Sequence, residues 1–206
     1  TPVMGKNGDI YLTTFRLPPN FKLGDSLPGI LHCISPAGEV RWEFPLASSS
    51  SFTPVVDHRE GQDLIYVITD RGRLVAVDGA GQQRWGTVLP GTAGEGPVDA
   101  PIIGEDLDGG RTLYQAMGNG LIYAIKDRDT RGEMLWAQAP QAKVSRGMVL
   151  KDGFLYAPTL DGGEGQTVQI KGIQVHSMGL ASTAPWPITG GNLAAQHISA
   201  LAQEGY

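Results

Sequence analysis

The segment GEDLDGGRTLY sets Asp106 and Asp108 two residues apart beside a pair of glycines. Alternating carboxylates of this kind can converge on one hard cation such as calcium. The third acidic ligand of such a loop is missing where Gly110 stands, and Arg111 adds a competing positive charge. An Asp-Gly turn is therefore the simpler expectation and a calcium site the alternative. Ser48–Ser51 lacks the G-x-S-x-G turn that exposes a nucleophilic serine, and reads as a flexible connection. His32, His58, His176 and His197 show no metal-ligand spacing and read as structural. The single Cys33 excludes an internal disulfide and any cysteine-rich metal site. These residue types predict a chain with no catalytic or cofactor-binding residues, with calcium as the one ligand to consider.

What positions these residues is a repeat. The stretch GRLVAVDGAGQQRW, residues 72–85, aligns with GILHCISPAGEVRW ending at Trp42, GLIYAIKDRDTRGEMLW ending at Trp136, and a degenerate VQIKGIQVHSMGLASTAPW ending at Trp186. The four tryptophans, the only ones in the chain, recur at intervals of 43, 51 and 50 residues. Upstream, GDIYLTT, DLIYVIT, TLYQAMGNG and GFLYAPT place Tyr11, Tyr66, Tyr114 and Tyr156 at equivalent points. Ahead of those stand TPVM, TPVV, APII and RGMV. Short runs rich in Val, Ile, Leu and Tyr, split by Gly and Asp, are strand-and-hairpin signals. Four-stranded units repeating every 40–50 residues predict an all-β propeller of four antiparallel blades. The units span about 1–46, 47–92, 93–139 and 140–190. In the tail at 191–206, Asn192 as N-cap and Ala194, Ile198, Leu201 and Ala202 on one face predict a short helix.

Composition agrees with a turn-rich fold. Of 206 residues, 29 are glycine, about twice the average share of ~7%. A net charge of −5 gives no basic footprint for nucleic acid, and no apolar run is long enough to span a membrane.

In a four-stranded blade the turn between the second and third strands shares a face with the connection to the next blade. That face carries the parts that do not repeat: FRLPPNFKLGDSLPG at 15–29, LDGGEGQ at 160–166, and the inter-blade connections. Binding concentrates in long loops on rigid scaffolds. Phe15, Arg16, Phe21, Lys22 and Arg146 are the candidate partner-binding residues; the alternative is a self-packed loop covering a blade edge.

The motif A-x-D-x-x-G-x-x-x-W from Ala76 to Trp85 resembles the pyrroloquinoline-quinone-like propeller repeat family. That family includes quinoprotein dehydrogenases and the non-catalytic lipoprotein of the outer-membrane β-barrel assembly machine. The resemblance implies that the small residue and the tryptophan of each motif dock neighbouring blades. The positions are Cys33 and Trp42, Ala76 and Trp85, Ala124 and Trp136, and loosely Val175 and Trp186, with Asp78 fixing its turn. Ser35 and Lys126 depart from the pattern at the Asp position. The family's dehydrogenases hold their quinone in a central site with calcium and several polar ligands, and many carry an adjacent cysteine pair, which a single cysteine excludes. The resemblance therefore implies a non-catalytic scaffold for protein–protein interaction, periplasmic, cell-surface or secreted. A quinone-dependent dehydrogenase, or a fragment of one, and a calcium-binding adhesion module are the alternatives. Four repeats leave open a complete small ring or part of a larger one, and an open arc would associate through its bare faces.

Overall fold

The structure, a computed structural model, describes residues 1–22, 25–90, 95–140, 142–145, 147–160, 168–185 and 187–188. Within them the chain is all-β. The first blade is a sheet of β1 (Val3–Met4), β2 (Ile10–Phe15), β3 (Gly29–Ile34) and β4 (Val40–Leu46), paired antiparallel in chain order. The second blade repeats this with β5 (Val55–Arg59), β6 (Gln62–Ile68), β7 (Arg73–Asp78) and β8 (Gln83–Val88). The third has β9 (Ile102–Asp106), β10 (Arg111–Ala116), β11 (Ile122–Asp127) and β12 (Gly132–Gln138) in the same order.

Register repeats as closely as sequence. The tyrosine of each second strand faces an aliphatic residue of the first strand: Val3 with Tyr11, Val55 with Tyr66, Ile102 with Tyr114. On its other side stands the small residue, Cys33, Ala76 or Ala124, which in turn faces Trp42, Trp85 or Trp136. A β-bulge follows that small residue in all three blades. Bulges add local twist, so each outer strand turns away at the same point.

Strand patterning reflects how many faces are covered. In β6, β10 and β11 nearly every residue is buried, because blades two and three each lie between two neighbours. The β6 run DLIYVI is accordingly almost continuously hydrophobic, while β10 buries Arg111, Thr112 and Gln115 with hydrogen-bond partners. By contrast β3 alternates as GILHCI, with Gly29, Leu31 and Cys33 buried toward blade two. The first strands β1, β5 and β9 lie against one another in succession.

The fourth repeat departs from the predicted blade. It contains β13 (Lys143–Val144), β14 (Val149–Lys151), β15 (Phe154–Leu160), β16 (Val168–Gln174) and β17 (Ser177–Leu180). Strands β13 and β14 pair successive parts of one edge of β15, and β16 pairs the other. The expected last strand is not at the outer edge. Instead β17 runs between β9 and β14, joining the inner edges of the third and fourth repeats into one sheet. The cause is local. Ser177 is fully buried, bonded to Tyr114 Oη at 2.8 Å and donating to Asp106. Gly104 makes room for it, since a Cβ there would stand 2.6 Å from Ser177 Oγ. The predicted helix at 191–206 and Trp186 lie outside the described residues.

Candidate functional site

Each blade junction is built from a stacked tyrosine–tryptophan pair. Ring centroids are 5.9 Å apart for Tyr11–Trp42 and 6.0 Å for both Tyr66–Trp85 and Tyr114–Trp136, all tilted. Tyr11 donates to Asp63 at 2.9 Å and Tyr66 to Asp127 at 2.5 Å, each acceptor being on the following blade. Trp42 Nε1 donates to the Gly79 carbonyl and Trp85 Nε1 to Asp127, both at 2.9 Å. The indoles lie on glycines: a Cβ on Gly81 would come 2.8 Å from Trp42, and one on Gly132 would come 2.7 Å from Trp85. Asp78 accepts from the backbone N–H of Ala80 and Gln82, closing its turn, and Ser35 does the same for Glu39. In blade three the turn aspartate is displaced by one residue to Asp127, which bonds Asp129 N while receiving Trp85 and Tyr66. Cys33 is buried in this arrangement, and burial pushes its thiol up to about 11.

Burial, reinforced by carboxylates near each ring, holds the phenols of Tyr11, Tyr66 and Tyr114 above their ordinary value of 10.0. A group whose pKa is raised on folding stabilises the fold below its unfolded value and loses that contribution as pH rises. Above about pH 10 the unfolded chain releases tyrosine protons that the folded chain keeps. Stability should therefore fall by up to about 1.4 kcal/mol per pH unit for each tyrosine. Thermal unfolding measured from pH 8 to 11 checks this; a midpoint that does not drop above pH 10 contradicts it.

On the face opposite the long loop, Asp106 and Asp108 come together, but around an ammonium. Lys126 Nζ lies 2.6 Å from Asp106 and 3.0 Å from Asp108. Burial opposes the charge on Lys126, but the two carboxylates outweigh it and raise its pKa. The Gly110 N–H and Lys126 together hold Asp108 below the usual carboxylate range. The cation between these carboxylates is a side chain, and a calcium ion, the alternative to a simple Asp-Gly turn, would have to displace it. Among the described residues no group of three or more His, Cys, Asp or Glu could hold a metal.

Sequence reading missed a larger ionic cluster on the same face, between blades two and three. Asp57, wholly buried, accepts from Arg111 Nε at 2.9 Å and from Thr183 Oγ1 at 3.2 Å, and lies 3.0 Å from Arg59 Nε. Arg59 reaches on to Asp127 and Tyr66. Arg111 is also buried and bonds Thr183 at 2.7 Å. Between blades one and two, buried Asp63 accepts from Tyr11 and lies 2.8 Å from Nδ1 of half-buried His58.

The loop face is organised differently. Ser48, Ser49 and Ser50 are buried, which corrects the expectation of a free connection. Ser49 and Ser51 both bond Asp70 in the turn after β6, and Ser50 donates to the Ile68 carbonyl. The strap they form receives the long loop, whose Leu27 carbonyl accepts from Ser49 N at 2.6 Å. Arg16 N bonds the Pro28 carbonyl and closes the loop's base, and Lys22 N bonds Asp25. In this loop Phe15 is 58% and Leu17 61% exposed, Arg16 and Lys22 are exposed as well, and Phe21 is half-buried. Phe21 thus turns partly inward while Phe15 does not. Arg146 and the loop at 161–167 lie outside the described residues. Nearer the axis, a cavity of about 460 Å³ opens where the four repeats enter their first strands, lined by Thr1, Phe52, Asp99, Gly147, Met148 and Ile188 among others.

Comparison with known proteins bears on the fold and the family. BamB from Moraxella catarrhalis superposes with a TM-score of 0.50 at 18% identity, over 82% of this chain and 50% of that one. The quinohemoprotein alcohol dehydrogenase from Comamonas testosteroni superposes with a TM-score of 0.51 at 16% identity, over 78% of this chain and 29% of that one. The chain thus spans half the length of the Moraxella protein, and at these identities the likeness is one of fold. No curated protein matches the sequence. The family profile described as outer membrane protein assembly factor BamB matches residues 36–171, well over half of the chain, and the protein therefore belongs to that family of PQQ-like repeat β-propellers.

Proposed function

We propose that this chain is a non-catalytic scaffold module of the bacterial cell envelope, and that it contacts a protein partner in outer-membrane protein assembly through its loop face. The observation that carries this reading is the loop at 15–28. Its base is fixed by the backbone bonds Arg16 N to Pro28 and Ser49 N to Leu27, while Phe15 and Leu17 stand exposed on either side of Arg16 in the chain. An apolar pair exposed at the fixed base of a long loop on a β scaffold favours a recognition surface. Family membership supports the partner class and the envelope location.

Photoreactive residues at positions 15 and 17 should crosslink an envelope protein, whereas one at Leu107, 80% exposed on the opposite face, should not. The double variant Phe15→Asp/Leu17→Asp should keep its melting temperature and weaken that interaction by about tenfold or more. Equal crosslinking from Leu107, or binding unchanged in the charged variant, overturns the surface. Saturable binding of the quinone with calcium overturns the non-catalytic reading.

A further inference from the structure

The chain holds two Asn-Gly pairs, Asn7–Gly8 and Asn119–Gly120, and both sit in the same kind of turn. In the first, Gly5 N donates to the Asp9 carbonyl at 2.8 Å and Gly8 N to the Gly5 carbonyl at 3.1 Å. In the second, Met117 N donates to the Leu121 carbonyl at 2.9 Å and Gly120 N to the Met117 carbonyl at 3.0 Å. Gly8 and Gly120 take φ of 80° and 82°, the left-handed conformation that closes such a hairpin and favours glycine. The backbones are therefore matched, and the two asparagines differ in what holds their side chains.

The Asn119 amide is pinned at both ends. Its Oδ1 accepts from Leu121 N at 3.0 Å and its Nδ2 donates to Tyr123 Oη at 3.3 Å, while that buried phenol donates to the Pro90 carbonyl. Asn7 is exposed, and its side chain bonds none of the described residues. Here too a tyrosine stands four positions further on, but the Tyr11 hydroxyl is committed to Asp63 on blade two.

We propose that Asn7 is a deamidation site of the folded protein, and that Asn119 is its protected counterpart. Gly8 N gives up its proton and bonds to Asn7 Cγ, and the side-chain nitrogen takes a proton and leaves as ammonia. The product is a succinimide ring, which water then opens at either carbonyl. Opening at Cγ leaves an aspartate. Opening at the backbone carbonyl leaves an isoaspartate, whose main chain runs through the former side chain. Glycine suits the attack because no Cβ crowds its nitrogen. Both products replace a neutral amide with a carboxylate, in a turn that already carries buried Asp9 and whose Lys6 N donates to buried Asp63 at 3.3 Å. Gly5 lies against Asp63 and the Tyr11 ring with no space for a Cβ, so the longer isoaspartate backbone has no slack at the contact between blades one and two. The proposal is independent of what the loop face binds.

Native protein held in mildly alkaline buffer, then digested and analysed by mass spectrometry, should show the amide-to-acid change at Asn7. The isoaspartate fraction should accept label from an isoaspartyl methyltransferase. Asn119 should convert at least about tenfold more slowly, because its two hydrogen bonds must open before the side chain can turn. In guanidinium chloride, where both turns are lost, the two sites should convert at similar rates, which assigns the native difference to the fold. Equal rates at the two sites in the folded protein overturn the proposal. So does an Asn7 that stays intact in the folded protein over a period that converts it in the denaturant.

Discussion

The Trp85→Ala protein is expected to lose roughly 3–5 kcal/mol of stability, a large part of what a domain of this size possesses. Trp85 is 4% exposed and is the most deeply buried of the described tryptophans. It touches three things at once: the Tyr66 ring, the backbone at Gly132 and the Asp127 carboxylate. Its burial follows from the longer turn of blade three, which carries Asp127, Asp129 and Gly132 over the indole. Trp42 meets the shorter turn at Gly79–Gly81 and is only half-buried, so Trp42→Ala should cost less. Trp85→Phe keeps a ring and loses the N–H bond, a change of about 1–2 kcal/mol. Urea unfolding of the three variants provides the order. A loss below about 1 kcal/mol for Trp85→Ala would refute its role as an anchor between blades two and three.

Asp57→Ala should be of comparable size, roughly 3–5 kcal/mol, but for an electrostatic reason. Removing this carboxylate leaves Arg111, 3% exposed, with Glu105 at 3.4 Å as its remaining carboxylate and takes a second anion from Arg59. The penalty is that of an under-compensated charge held away from water. It is not the net worth of the pair, because bringing both ions out of water costs about as much as their attraction returns. The double variant Asp57→Leu/Arg111→Met should therefore recover most of the loss. If the double variant is as unstable as Asp57→Ala, packing at this joint matters more than charge. If Asp57→Ala is near neutral, the cluster is not a determinant of stability.

Blades one to three could be read from sequence because tyrosine, small residue and tryptophan recur at fixed strand positions, and β pairing turns that recurrence into contact. The ionic cluster could not. Asp57 and Arg111 are 54 residues apart, and Arg59 and Asp127 are 68 apart. Each looks like an ordinary strand-end charge until the blades stack. One clue was available: charged residues at the start or end of strands whose interiors are continuously apolar lie where two sheets meet. The Asp106/Asp108 pair shows how a local pattern leaves out a distant partner. The local pattern offered an Asp-Gly turn or a calcium loop, while the partner the structure brings in, Lys126, sits two strands away on β11 and stands where the repeat elsewhere has Asp or Ser. The loop at 15–29 was found by its failure to repeat. That signal located exposed Phe15, but it could not separate Phe15 from the partly inward Phe21, since both are aromatic residues flanked by a cation.

The path of β17 has a consequence for how the protein is made. Blades one to three are each completed by strands adjacent in the chain, so a ribosome can release them finished and in order. The inner edge of β9 is different: it waits until residues 177–180 have been synthesised, about seventy residues later, as does the bond of Ser177 to Asp106 and Tyr114. During that interval a nascent chain exposes an unpaired strand edge beside the Tyr114 hydroxyl, a place for a chaperone to protect and a weak point of a stalled translation product.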